Sequence, residues 1–304
     1  CHGEEDSPFV WPSGCFACFE DACEAAARVK RPLHIRNCPH ILMTRSVRLT
    51  RRGLALSIIG DGACTIEGSA YVIFQLGAPE ARLELRGVTL HHTAPSLNGN
   101  GTDVGSAIFL LDRARAILEN VSVVSTAGLG VWLVQRARLE AKDCSFMNCG
   151  RSGVALFGRS SALLRHCAVE ACGSHGCCSR GRSSLELRRC CVRRCGRRGV
   201  YAYQSSTLEM SECRVEGTRD ASRAALEAAG ARAGDAVRAT VERCRVAGNA
   251  GAGLLLRGAV ESRLVENLCA GNAGADLRVA EGEENGAWPE GHEARTGEYG
   301  VVSL

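Results

Sequence analysis

The residues able to do chemistry in this 304-residue chain are unevenly spread. Eighteen cysteines and eight histidines supply thiols and imidazoles. One stretch gathers His166, Cys167, Cys172, His175, Cys177, Cys178, Cys190, Cys191 and Cys195. Four converging N and S ligands there would hold zinc. The stretch has no C-x₂-C pair, and the one such spacing, Cys15 with Cys18, stands without a second. No metal and no cofactor is therefore expected. Acid–base cleavage of a glycoside needs two positioned carboxyl groups. Between 129 and 217 the acids are Glu140, Asp143, Glu170, Glu186, Glu209, Glu212 and Glu216, with a single Asp among them. The best catalytic grouping is Asp103, Asp112, His91 and His92, with an arginine such as Arg180.

What positions these residues is a repeat. Gly130, Gly153, Gly176 and Gly199 recur every 23 residues. Cys144, Cys167, Cys190 and Cys213 keep the same step, as do Cys149, Cys172 and Cys195. Cys244 and Asn267 continue the main row, and Asn120 is placed at its upstream end after a step of 24. Gly230 and Gly253 stand 14 residues before Cys244 and Asn267. The extra residues between Cys213 and Gly230, RDASRAALEAAG, read as a short helix capped by Ser222 and ended by Gly230.

Each unit divides into three short segments of period-2 alternation broken by Gly, Ser or charged turns. Three strands in 23 residues predict one coil of a single-stranded, right-handed parallel β-helix, an all-β fold. Inward positions are Val131/Leu133, Val154/Leu156, Val200/Ala202 and Leu254/Leu256 in the first strand, and Phe146, Val169, Val192, Val215 and Val246 in the third. A leucine-rich repeat is the rival, but Ser205, Arg182 and Arg136 stand where its leading leucine belongs. Three parts are expected: residues 1–53 as an N-terminal segment with a capping helix and first strands, 54–280 as the β-helix, and 281–304 as an acidic polar tail or cap.

Units of the form S-G-V-x-x-x-…-S-x-L-x-x-x-[NC]-x-V-x-x-[NC]-G resemble the β-helix repeats of pectate-lyase-like proteins. Closer in pattern are the β-helix domains of F-box substrate receptors and of nitrous-oxide-reductase accessory proteins. LALSIIGDGACTIEG (54–68) is similar to the opening turn of such domains, and FEDACEAAARVKR (19–31) to the helix that caps the first coil. The resemblance implies that the column Asn120, Cys144, Cys167, Cys190, Cys213, Cys244, Asn267 is a structural Asn/Cys ladder. Parallel Cβ vectors one coil apart do not suit disulfides. Reduced thiols, and with them a cytoplasmic or nuclear setting, are expected.

Composition narrows the function classes. Hydrophobics at 45% with 23% charge exclude wholesale disorder. No apolar run approaches the roughly 20 residues of a membrane helix, so no membrane insertion is expected. The chain starts Cys1-His2-Gly3, without an initiator Met and without a basic-then-apolar leader. Outward first-strand positions carry Trp132, Phe157, Tyr201 and Tyr203, interleaved with Arg180 and Arg257, residue types that binding surfaces favour. Residues 176–198 carry a local charge of +7 against +4 for the whole chain. The expected role is thus a non-catalytic interaction scaffold for a protein, a peptide or an anionic ligand such as an acidic glycan. Nucleic acid is disfavoured, since no aromatic-plus-basic RNA-binding module is present. The alternative is a carbohydrate-active protein, a polysaccharide lyase or glycoside hydrolase with an atypical site. Pectate-type lyases imply clustered Asp around calcium, and no coil shows an Asp pair on the first-strand face.

Overall fold

A computed structural model describes residues 9–95, 105–230 and 235–280, with the backbone alone at 292–293 and 301–302. The chain winds into a parallel β-solenoid of about eleven turns, in one eleven-stranded and one twenty-stranded sheet. The smaller sheet collects the first strand of each coil, such as Leu129–Leu133, Val154–Gly158, Cys177–Gly181 and Val200–Tyr203. Second and third strands, such as Ser161–Arg165 and Ala168–Glu170, form the larger sheet. Pairing follows the 23-residue step, with Val131 opposite Val154, Val154 opposite Cys177 and Cys177 opposite Val200. Every inward residue expected in the first and third strands is buried.

The corners explain the turn residues. Asn120, Asp143, His166, Arg189, Glu212, Arg243 and Glu266 all have φ between 51° and 54°. They form one left-handed corner per coil between the second and third strands. Gln135, Gly158, Gly181 and Gln204 make the corner after the first strand, also with positive φ. The recurrent glycines answer a different need. A Cβ on Gly176 would stand 2.6 Å from the Gly199 carbonyl oxygen and 2.6 Å from Val192 Cγ1. Successive coils approach too closely there for any side chain.

Next to the positive-φ corner runs the thiol column. Cys144, Cys167, Cys190, Cys213 and Cys244 are each at most 3% exposed. Backbone amides of Cys190 and Cys213 point at the sulfurs of Cys213 and Cys244, both at 3.4 Å. Asn267 ends the row in the same geometry. Its Oδ1 accepts from Cys244 N at 2.9 Å, and its Nδ2 donates to Val241 O at 2.7 Å. At the upstream end the expected Asn120 is displaced. Ser122 pairs with Ser145, which puts buried Val121 in the Cys144 column and Asn120 on the exposed corner before it. The 23-residue step therefore holds, and Asn occupies the corner because it tolerates positive φ. Cys64 and Val88 carry the column further up.

A second column begins with His92 and Ser125, joined at 2.8 Å, and passes through Cys149, Cys172 and Cys195. It ends in Thr218, Asn249 and Asn272, where Thr218 N donates to Asn249 Oδ1 at 3.0 Å. Asn249 N donates in turn to Asn272 Oδ1 at 3.2 Å.

The helix expected within 219–230 is absent. Leu226–Gly230 is a strand, paired with Val200–Tyr203 on one side and Leu254–Gly258 on the other. Ala, Leu and Glu favour helix in isolation, but a template strand on either side overrides a preference of under about 1 kcal/mol per residue. Part of the insertion precedes this strand, at 219–225, and part follows it.

At the N-terminal end the helix Phe19–Val29 turns Phe19, Ala22, Cys23, Ala26 and Ala27 onto the core as a plug. Glu20, 1% exposed, accepts amide bonds from Thr44 (2.7 Å) and Arg45 (3.1 Å) and so ties the plug to the first coils. Burial pushes its carboxyl up, but the amide bonds outweigh that and its pKa ends below the usual range. Parallel pairing reaches back to Pro32–Ile35 and Phe9–Trp11, upstream of residue 54. Side chains of the 281–304 segment lie outside the described residues. Its backbone adds antiparallel pairs at His292–Glu293 and Val301–Val302.

Candidate functional site

The outer surface of the eleven-stranded sheet carries two columns of side chains, set by strand alternation. Register aligns Gln75, Phe109, Trp132, Ala155, Cys178, Tyr201, Glu227, Leu255 and Arg278 in the first. Phe157, Arg180, Tyr203, Ala229 and Arg257 follow in the second. Phe109, absent from the expected set, extends the strip. Its ring lies 4.6 Å from that of Trp132, which meets Phe157 edge-on at 6.4 Å. Tyr201 and Tyr203 stack at 4.4 Å with an 11° interplanar angle. All five aromatic rings are half-buried, while Arg180 is exposed. Arg180 sits 5.6 Å from the Tyr203 centroid and donates from Nε to Gln204 Oε1 at 2.7 Å.

Further along, the same face closes. Leu255 is 3% exposed and packs with Ala224 and Ala280, so the end of the insertion roofs this part of the strip. Beneath lies a group that spacing did not reveal. Glu227 occupies the column position after Tyr201 and is fully buried. Arg198 Nε donates to Glu227 Oε2 at 2.5 Å, and Arg257 Nη2 to Oε1 at 3.2 Å. The Arg198 guanidinium also lies over the Tyr201 ring at 4.0 Å. Arg257 is thus buried in an ion triad and is not part of the open strip. His175 stands 5.3 Å from Tyr201, and burial, reinforced by Arg198, Arg197 and Arg223, pushes its pKa down to about 3. The charge signal was in the sequence, as one acid on a row of aromatics and arginines, but assigning 226–230 to a helix hid it.

The catalytic grouping is not assembled. Asp103 lies outside the described residues. Asp112 sits in the left-handed corner at φ 57°, its amide donating to Gln135 Oε1 at 3.0 Å. His92 points into the solenoid, bonded to Ser125 and, through Nε2, to Ala70 O at 3.1 Å. Burial lowers its pKa. His91 faces out from the other sheet, 3.6 Å from Glu67, which also meets His40 at 3.1 Å. Arg180 is on the first sheet.

Five of the eight arginines of the basic run, Arg188, Arg189, Arg193, Arg194 and Arg198, are ion-paired. Glu170 takes Arg193 (2.6 Å) and Arg194, Glu212 takes Arg189 at 3.0 Å, and Glu186 takes Arg188. The thiols offer no converging set. Among the described residues no group of three or more His, Cys, Asp and Glu is arranged to hold a metal ion. Burial pushes the thiols of Cys64, Cys178 and Cys269 up to about 12. In the ladder each thiol donates to a backbone carbonyl two residues before it, Cys144 to Lys142 O, Cys167 to Arg165 O and Cys213 to Ser211 O, each at 3.2 Å. Sixteen described cysteines are free thiols, whereas Cys15 is disulfide-bonded, so the expectation of reduced thiols does not extend to it. No described helix is long and apolar enough to cross a membrane.

Comparison with known proteins bears on the fold. Residues 79–230, half of the chain, match the family model described as "Right handed beta helix region". Among solved structures, the A-module of the mannuronan C-5 epimerase AlgE4 from Azotobacter vinelandii superposes with a TM-score of 0.55 at 14% identity. The match covers 86% of this chain and 76% of that one. The AlgE6 A-module from the same organism gives 0.55 at 14% identity, over 86% and 75%. No curated protein sequence matches the chain.

Proposed function

The chain belongs to the right-handed β-helix family, and from that premise we propose that it is a non-catalytic interaction scaffold. Its first-sheet face would take an extended segment of a partner protein. The carrying observation is the half-open aromatic row Phe109–Trp132–Phe157, continued by Tyr201 and Tyr203 with Arg180 exposed beside them. Rings presented at a fixed coil step lose little conformational entropy on binding, and an exposed guanidinium adds selectivity for an acidic side chain. Among the described residues of the two columns the acid is Glu227, and both its oxygens are held by arginines. The epimerase A-modules support the fold; at 14% identity their chemistry is not carried over.

Selection of extended peptides against the immobilised protein, followed by titration monitored through tryptophan fluorescence, tests this reading. Trp132→Ala and Tyr203→Ala should each weaken a selected peptide by about tenfold or more, as central aromatic anchors do. Turnover of mannuronan or polygalacturonate that disappears in Asp112→Ala would replace the scaffold reading with a carbohydrate-active one.

A further inference from the structure

The corner between first and second strands carries a feature outside the aromatic strip. Arg115, Arg138, Ser161 and Ser184 are aligned by register in consecutive second strands. Two residues before them stand Arg113, Arg136, Arg159 and Arg182, one per coil and all exposed. Corner amides fix the alignment: Arg136 N donates to Asp112 O at 2.8 Å and Arg159 N to Gln135 O. The backbone positions of the four arginines therefore recur at the coil step of roughly 4.8 Å. Unlike Arg188, Arg189, Arg193, Arg194 and Arg198, none of the four makes an ion pair among the described residues. Of the acids beside the row outside the groove, Asp112 sits in the corner itself and Glu80 is already bonded to Arg52 at 2.8 Å. Beside the row runs a shallow groove of about 500 Å³ lined by Arg136, Arg138, Arg159, Ser161, Ser184 and Glu186. Glu140 also lines it. Its carboxylate is taken by Arg115 at 2.6 Å, and that of Glu186 by Arg188. The groove thus offers unpaired guanidiniums and two serine hydroxyls to an incoming anion.

We propose that this arginine row docks an acidic segment of a partner protein, a run of Asp and Glu laid along the solenoid axis. Carboxylates on one face of a helix stand about 5–6 Å apart, which matches the row, and a flexible acidic run can adopt the same step. Guanidinium forks bind carboxylates in bidentate fashion without any further element. Single-stranded nucleic acid needs stacking platforms beside its basic track, and the lining has no aromatic side chain. For the same reason the lining, whose apolar members are Leu139, Ala162 and Leu163, offers a sugar ring no aromatic face to stack on. This proposal does not rest on the aromatic-strip reading, because the two surfaces are different and can fail separately.

The test is fluorescence-anisotropy titration of a labelled oligoglutamate against the whole chain at low and raised ionic strength. The row variant is Arg113→Gln/Arg136→Gln/Arg159→Gln/Arg182→Gln. The control is Arg188→Gln/Arg189→Gln/Arg193→Gln/Arg194→Gln, which removes equal charge from ion-paired positions. Wild type should bind with an affinity that falls as salt rises. The row variant should lose about tenfold or more, and the control should stay within about twofold of wild type, as expected when local complementarity governs docking. If the quadruple variant does not fold, Arg136→Gln/Arg159→Gln carries the same comparison. Absence of wild-type binding at low salt, or equal losses in row variant and control, overturns the proposal. So does tighter binding of a single-stranded oligonucleotide or a sulfated polysaccharide than of oligoglutamate.

Discussion

Arg198 and Glu227, 29 residues apart, meet through a 2.5 Å bond beneath the outer face of the first sheet, at 5% and 1% side-chain exposure. The pair ties a corner of one coil to the strand of the next, and Arg257 closes the triad from the coil beyond. Two cations against one anion in a buried site make the carboxylate the member whose loss costs most. Glu227→Ala should destabilise the fold by about 3–5 kcal/mol, the range for removing one partner of a buried pair. A double-mutant cycle with Arg198→Ala, read by urea unfolding, should give a coupling above about 1 kcal/mol. Additive losses would mean that the two side chains are merely neighbours.

The imidazoles of His92, buried, and His175, half-buried, weaken the fold in acid. His175 is pushed down to about 3 by burial and by Arg198, Arg197 and Arg223, and His92 is lowered by burial. In an unfolded chain a histidine takes its proton near pH 6.5. Above that value both states are neutral and nothing is gained or lost. As pH falls below it, the unfolded state binds protons that the folded state refuses, so stability declines towards the folded pKa. Glu20 adds to this at lower pH, because its depressed carboxyl stabilises the fold only while ionised. Urea midpoints measured from pH 7 to pH 4 should fall in wild type. In His175→Gln the decline should be smaller by about 1–3 kcal/mol at pH 4. Parallel curves for the two proteins would show that His175 titrates normally.

Much of the coil was legible before any coordinates, because each repeat obeys three local rules at once. Inward positions alternate, glycine stands where coils nearly touch, and small thiols or amides stack at the corner. The differences have a common cause. Asn120 fits the row by residue type at the cost of one residue of spacing, whereas Val121 keeps the step. Leu226–Gly230 has the composition of a helix, but a solenoid strand is templated by the coils above and below. The Arg198–Glu227–Arg257 triad was invisible for the same reason, since its acid became a face residue only once that strand was in place. The arginine row at 113, 136, 159 and 182 was masked by the local charge at 176–198, whose own arginines are mostly paired.

Close approach of successive backbones makes the glycine column intolerant. A methyl group on Gly176 would sit 2.6 Å from a carbonyl oxygen of the next coil and 3.1 Å from the Cys195 sulfur. Neither neighbour can withdraw without parting two coils. Gly176→Ala should cost about 3 kcal/mol or more, at the severe end of overpacking. Gly248→Ala is the contrasting case, with open space around its Cβ and φ 63°. There the penalty is conformational, about 1–2 kcal/mol. Equal unfolding midpoints for the two variants would contradict the close-approach argument.

The thiol column should behave as packing and not as reactive chemistry. Cys144, Cys167, Cys190, Cys213 and Cys244 are each at most 3% exposed, whereas Cys18, Cys38 and Cys191 are partly accessible. Native alkylation followed by peptide mass spectrometry should label the latter three well before any ladder thiol. Cys213 tests the column from within. Its sulfur receives the Cys190 amide at 3.4 Å and reaches Leu187 O at 3.3 Å. Asn267 performs the same two tasks at the end of the row with an amide. Cys213→Ala removes the acceptor and leaves a small void, and should cost about 1–3 kcal/mol. Cys213→Asn restores both bonds, and its urea midpoint should lie closer to wild type than that of the alanine variant. The reverse order would mean that the row selects for small apolar volume, not for the hydrogen-bonding pattern that Cys and Asn share.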